Sequence, residues 1–358
     1  MSKAVEAVVL AVAVFAVAAC GGGTKAGNTT PKPIGSNGQS MNDNGEPAFN
    51  QGGSGDGVGG ANSDLGASDP SGGEPVLFPN LDPDPGQAKS QVDQHLSIAR
   101  HALSSSNPDA DTALREAKEA LKIDATSIDA AAYYAFAYYH KKQYDTAELV
   151  LDDVFKREAA KRNAGIYYVY GLVYDQTKRP EQAVLAFNKA IELNPNFPSA
   201  LVNVGAHQLR NKQYADAQAT FERLTKEFRR NDALVLTSLG SAYRGRAGEY
   251  PAGAGERNQL IISSEQAYRR AILANPNYGP VYYNLALLYL DADPFPSGGG
   301  TLDTMQRLNA AKGYLDKYKD MPGVDMKMYD ERMKDVTKAV KHEEKRRKKA
   351  GKGGSSNS

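Results

Sequence analysis

The sequence predicts an all-α fold, a solenoid of stacked helix pairs preceded by an export signal and a low-complexity linker. Three observations predict it. Ala183 and Ala217 lie 34 residues apart in matching surroundings. Small and large apolar residues recur at spacings of three and four, the period of a helix face. Prolines such as Pro195 and Pro276 stand where one apolar stretch ends and the next begins, as helix stops require.

Taken in order, the chain opens with Lys3 and then an unbroken apolar run, Ala7 to Ala19, of 13 residues. A membrane span needs about 20 residues, so this run is too short to cross and stay. Its length suits the apolar core of a secretory signal over 1–19, although Glu6 weakens the positive region before it. The run ends in Val17-Ala18-Ala19-Cys20-Gly21, which resembles a bacterial lipobox. Small residues there let a peptidase approach the backbone, and the thiol accepts a diacylglyceryl group. The resemblance implies cleavage before Cys20, acylation of its new amino group with a palmitate-type chain, and stable anchoring, since several acyl chains hold where one is marginal. Gly21 is not the Asp that retains lipoproteins in the inner membrane, which points to the outer membrane and a periplasm-facing domain. Cys20 is the only cysteine, so no intramolecular disulfide is possible.

Residues 20–85 follow as a tether dominated by Gly, Ser, Asn, Asp and Pro. Such a composition cannot bury enough apolar surface to offset chain entropy. Its root-mean-square reach is roughly 40–50 Å, from about 5–6 Å times the square root of its length. Gly21-Gly22-Gly23-Thr24-Lys25 has the wrong spacing for a phosphate-binding loop, and no strand precedes it.

The helix pairs are expected over 86–323. The fullest unit reads Tyr167, Tyr170-Gly171, Tyr174, Pro180, Ala183, Phe187, Ala190 and Pro195. The next reads Leu201, Val204-Gly205, Tyr214, Ala217, Phe221 and Leu224; the preceding one reads Tyr134-Ala135, Tyr138, Tyr144, Ala147, Leu151 and Val154. A small residue at the eighth position (Ala135, Gly171, Gly205, Gly240, Ala286) lets two helices approach, and large residues at positions 4, 7, 11 and 24 fill the space between. This pattern resembles the tetratricopeptide repeat. A degenerate first unit is expected from about 88–105 and Ala113, Ala117 and Ala120. The fourth and fifth units are expected to carry inserted loops at Arg244–Asn258 and Asp291–Gly300. A charged capping helix is expected over 324–345, and a basic, Gly/Ser-rich disordered tail over 346–358.

In the tetratricopeptide family the concave groove is lined by first-helix positions 2, 5, 6, 9, 12 and 13. Carried over residue by residue, the resemblance gives Tyr133, Phe136, Tyr139 and His140, then Tyr168, Leu172, Asp175 and Gln176. The third unit gives Val202, Asn203, Ala206, Leu209 and Arg210, and the fifth gives Tyr283, Asn284, Leu287 and Leu290. Tyr133, Tyr139, Tyr168 and Tyr283 are expected to face the groove; Tyr134, Tyr138, Tyr167, Tyr170 and Tyr174 are expected in the core. Asn203 and Asn284 fall where family members carry an Asn that bonds a ligand's backbone. An aromatic, amide-bearing groove suits protein recognition. The family's basic clamp for acidic C-terminal tails is missing.

Other chemistry is not indicated. With 43 basic and 42 acidic residues the net charge is +1, against nucleic-acid binding. His95, His101, His140, His207 and His342 lack the spacing of a zinc site. Asp291-Ala292-Asp293 lacks the remaining ligands of a calcium loop and reads as a plain turn. No catalytic constellation, cofactor or small-molecule substrate is expected. The basic stretch Lys338–Lys352 reads as the solvated end of a helix, with contact to lipid headgroups or an acidic partner as the other reading.

The lipobox, the long tether, the segment LLYLDADPFP at Leu287–Pro296, AAKGYLDKY at Ala310–Tyr318 and the basic last helix together resemble the tetratricopeptide lipoproteins of the myxobacterial adventurous gliding machinery. That resemblance implies a scaffold whose partners are other envelope proteins. Two alternatives stay open: a pilotin or barrel-assembly lipoprotein, and an envelope enzyme or the regulatory subunit of an envelope hydrolase.

Overall fold

The computed structural model describes residues 85–104, 108–297 and 300–353. The expected signal 1–19, Cys20 and all of the tether before Pro85 lie outside the described residues. These contain thirteen α-helices and one two-stranded hairpin, and they form two compact units, 85–196 and 197–353.

The first unit runs α1 (Pro85–Ser104), α2 (Ala110–Ile123), α3 (Ile128–His140), α4 (Tyr144–Phe155), a 3-10 turn (Ala160–Arg162), α5 (Ala164–Gln176) and α6 (Pro180–Leu193). Its helices start at residues whose side chains accept orphan backbone N–H groups: Asp109 from Thr112, Ser127 from Ala130 and Asn163 from Ile166. Pro180 opens α6, where a missing N–H costs nothing. α3 and α5 close in the same way. Lys142 and Lys178 take left-handed φ of 60° and 61°, and the following N–H reaches back to Tyr138 O (3.0 Å) or Tyr174 O (2.8 Å). These are Schellman turns with lysine where glycine is the easier residue.

The eighth-position rule has a direct cause here. A Cβ on Gly171 would sit 2.5 Å from the Phe187 ring, which is fully buried at position 24. Successive pairs are also stitched at their ends. Asn163 Nδ2 donates to Asp129 Oδ1 at 2.7 Å, and burial holds the Asp129 carboxyl above its usual range. Tyr170 donates to Asp152 at 2.7 Å.

The second unit runs α7 (Pro198–Arg210), α8 (Tyr214–Lys226), α9 (Ala233–Ala247), α10 (Gly255–Ala274), α11 (Gly279–Asp291), β1 (Pro296–Ser297), β2 (Gly300–Thr301), α12 (Thr304–Lys319) and α13 (Met326–Gly353). The same close approaches recur. Cβ atoms on Gly205 and Gly240 would lie 2.7 Å from Phe221 and 2.5 Å from Tyr268. Its core gathers Leu236, Ile261, Tyr268, Leu285, Leu288 and Leu315, with Val336 from the last helix.

Two expectations are corrected, and the inserted loop after α11 is present as expected. The Arg244–Asn258 stretch is mostly helix: α9 runs to Ala247, α10 starts at Gly255, and only 248–254 lie between them. The added residues lengthen the two helices to 15 and 20 residues. Gly245 is what allows it, because a Cβ there would meet the Tyr214 ring at 2.1 Å. It marks a close approach and not a loop.

The described residues of the loop after α11, 292–297 and 300–303, are held by Arg307 and by the antiparallel pairing of β1 with β2. Buried Arg307 donates to Tyr289 O (2.7 Å), Leu290 O (2.8 Å) and Asp293 Oδ2 (2.9 Å), satisfying the carbonyl end of α11. Phe295 stacks on Tyr289 with ring centres 4.4 Å apart, and Pro296 pairs with Thr301. Asp291 and Asp293 are paired with Arg244 and Arg307. Finally, the capping helix does not end near 345 but runs through Gly353 and takes in the start of the expected tail. Arg346 and Arg347 both return to Glu343, which continues the helix past the expected boundary.

Candidate functional site

In the first unit the groove positions of α3 and α5 come together as an aromatic floor. Phe136 lies 6.2 Å from Tyr168, 6.0 Å from Tyr139 and 4.5 Å from His140, ring centre to ring centre. Tyr168 rests 5.9 Å from Phe187.

The floor is more closed than the sequence suggests. Tyr133, Tyr139 and Tyr168, expected to face an open groove, are 2%, 5% and 8% exposed. The reason is their neighbours. The Tyr133 hydroxyl accepts from Arg100 Nε at 3.0 Å, on the preceding α1. Tyr139 is flanked by Phe136, His140 and Tyr144, and burial pushes its hydroxyl pKa far up. Leu172 is buried too. The expected core tyrosines Tyr134, Tyr138, Tyr167 and Tyr174 are instead half-buried, and only Tyr170 is buried. Half-buried hydroxyls there keep contact with water or polar partners: Tyr134 and Tyr138 share a hydrogen bond at 3.1 Å.

What stays reachable is a rim. Phe136, His140, Asp175 and Gln176 are half-buried. Tyr144 donates to Gln176 Oε1 at 3.5 Å. His140 sits against two aromatic rings, its Nε2 buried without a hydrogen-bond partner, and burial pushes its pKa down to about 4. Neutral at ordinary pH, it extends the apolar surface and adds no charge. The arrangement offers a shallow aromatic surface edged by one amide and one carboxylate, suited to a polypeptide with apolar anchors.

The second unit divides its groove positions. On α7, Val202 and Ala206 are buried, whereas Asn203, Leu209 and Arg210 are half-buried. Asn203 Nδ2 donates to Ser199 O of its own helix at 2.9 Å, which fixes the amide's direction. On α11 the open exposure expected of Tyr283 is corrected to 3%. Tyr318 of α12 lies 5.2 Å from its ring, and Arg332 of α13 donates to its hydroxyl at 3.3 Å. Asn284 is buried with both ends of its amide engaged: Nδ2 donates to Pro280 O at 2.9 Å, and Oδ1 accepts from Ser241 at 3.4 Å. Leu287 is buried and Leu290 half-buried. The terminal helices need an apolar face to pack on, and α11 supplies it.

Sequence reasoning missed one feature. Leu149 and Leu185 are 69% and 70% exposed, both at position 22 of their units on the second helices. Their shared register was the available signal. Among the described residues no three His, Cys, Asp or Glu gather as a metal site, and no helix is long and apolar enough to cross a membrane.

Residues 164–197 match the tetratricopeptide repeat family. No curated protein matches the sequence. The solved structure of Pseudomonas aeruginosa pilF is similar, with a TM-score of 0.51 and 18% identity, covering 68% of this chain and 97% of that one. A chain of the APC/C hetero-tetramer Cut9-Hcn1 is similar at a TM-score of 0.51 and 15% identity, over 70% of this chain and 45% of that one. These likenesses are of fold. The chain is all-α and of the tetratricopeptide type.

Proposed function

We propose that this chain is a lipid-anchored, non-catalytic scaffold that holds other cell-envelope proteins together, at the outer membrane facing the periplasm and within a gliding machine. The observation that carries the reading is the aromatic floor of Phe136, Tyr139 and Tyr168 with its half-buried rim. Large rings with polar tips supply contact area at low entropic cost, which is what protein recognition uses. Phe136, His140, Asp175 and Gln176 are the partner-binding residues of the first unit, with buried Tyr139 and Tyr168 beneath them, and Asn203, Leu209 and Arg210 are those of the second. Acylated Cys20 is the anchor, and residues 20–85 are the tether that lets the folded part work away from the bilayer. Nucleic acid, a cofactor and a small-molecule substrate have no part in it.

The test is crosslinking in living cells followed by mass spectrometry of what purifies with the tagged chain from outer membranes. Recovery of motility-machine subunits is the expected result. Recovery of a secretin or of barrel-assembly proteins would retain the scaffold and replace the machine. Turnover of an envelope substrate by the purified chain would overturn the non-catalytic reading.

A further inference from the structure

Helix α13 sorts its charges by face. Val336, 1% exposed, marks the inward side. Around it Arg332 reaches Tyr283, Glu343 holds Arg346 and Arg347 at 2.6 and 2.8 Å, and Arg347 also reaches Asp303 at 2.6 Å. The helix is thereby pinned near both ends to α11 and to the start of α12. The opposite side carries Lys334, Lys338, Lys341, Lys345 and Lys348, at successive steps of four, three, four and three, with Lys349 beside them. That spacing puts all of them on one stripe, about 21 Å long at 1.5 Å per residue. All six are exposed, and none has a carboxylate partner among the described residues. Met333 and His342 flank the stripe, and Asp330 stands one turn before Lys334.

We propose that this lysine stripe is a membrane-contact surface that rests on anionic phospholipid headgroups. A pinned helix with its lysines on one face presents them together to a flat surface, as a bilayer requires. The choice of residue agrees. Lysine is a compact, hydrated point charge suited to an array of phosphates with no fixed geometry, while the arginines of α13 are each held by a partner of defined geometry. Protein interface cores are poor in lysine and rich in aromatic, methionine and arginine side chains, whereas lysine dominates this face. Without an apolar side the helix lies on the headgroups and does not insert. The contact is independent of acyl chains on Cys20.

The experiment uses the full chain carrying Cys20→Ser, alone and with Lys338→Glu, Lys341→Glu and Lys345→Glu together. Sedimentation is measured with vesicles of equal parts phosphatidylcholine and phosphatidylglycerol, and with phosphatidylcholine alone. The lysine stripe predicts binding to the anionic vesicles only, lost in molar salt and weakened about fivefold for each lysine removed, so at least about a hundredfold in the triple variant. Circular dichroism reports helix content. If the Glu variant loses helix, the triple Gln variant is read instead, with the same hundredfold expectation. Unchanged binding by a folded triple variant, or equal binding to neutral vesicles, overturns the proposal. Preference for polyglutamate over the anionic vesicles also overturns it, in favour of an acidic protein. Because every chain here lacks Cys20, failure leaves the acyl anchor untouched; that anchor is judged by fractionating cells that carry the native cysteine.

Discussion

The two units use one helix pair and leave different surfaces open. In 85–196, α3 and α5 are thirteen residues each and end in the same lysine turn, and their aromatic floor keeps a reachable rim. In 197–353 the first pair repeats that form, with Lys212 at φ 58°. The later pairs lengthen and gain a hairpin, and Tyr283 is covered by α12 of the last pair and by the following α13. The contact between positions 8 and 24 survives in both units. In the first unit neighbouring rings of the repeat close Tyr139, while in the second the terminal helices close Tyr283.

The largest expected effect tests the shared part. Phe187→Ala and Tyr268→Ala each remove a fully buried ring, one from each unit. Each should cost about 3–5 kcal/mol in denaturant unfolding. A loss below about 1 kcal/mol in either would show that the two units do not share this core contact.

The next effect belongs to the first unit alone. His140 has its pKa lowered from 6.5 to about 4 by burial, so the folded state binds fewer protons than the unfolded chain between those values. Stability should therefore be whole above pH 6.5 and fall as pH drops toward 4. The loss is at most about 3 kcal/mol, and less where the half-buried ring is screened by water. His140→Phe should lack this contribution. Parallel pH profiles for the two proteins would remove His140 from the account.

Smaller effects sharpen the packing argument. Gly171→Ala drives a methyl against Phe187 and should cost about 1–2 kcal/mol, a loss that Phe187→Leu in the same chain should partly restore. Additive losses would mean that the ring moves aside freely. Smallest, and opposite in sign, Lys178→Gly relieves a left-handed lysine and should raise stability by less than about 1 kcal/mol in thermal unfolding.

The fold was legible because its determinants are local and periodic. Gly171 and Gly205 announce close approach, and Phe187 and Phe221 answer them 16 residues on; Tyr268 answers Gly240 after 28, because the insertion lies between them. The insertions were less legible. Gly245 and Gly255 read as breakers, yet the first is a packing contact inside α9 and the second opens α10. Their role depends on Tyr214 and on tertiary packing that no local window contains. The candidate site was legible by position but not by exposure. Tyr133 and Tyr283 occupy the register of groove residues, and their burial follows from Arg100 on α1 and Arg332 on α13. Those partners stand 33 and 49 residues away, beyond the reach of a repeat-by-repeat transfer.

The most direct test of the central claim places a photo-reactive amino acid, one position at a time, in the full chain in living cells. Phe136 and Gln176 represent the open rim, Asn284 the covered position, and Leu149 and Leu185 the exposed second-helix face. The account predicts partner adducts from 136 and 176 and none from 284. Adducts confined to 149 and 185, or arising from 284, would contradict it and move the docking surface off the aromatic floor.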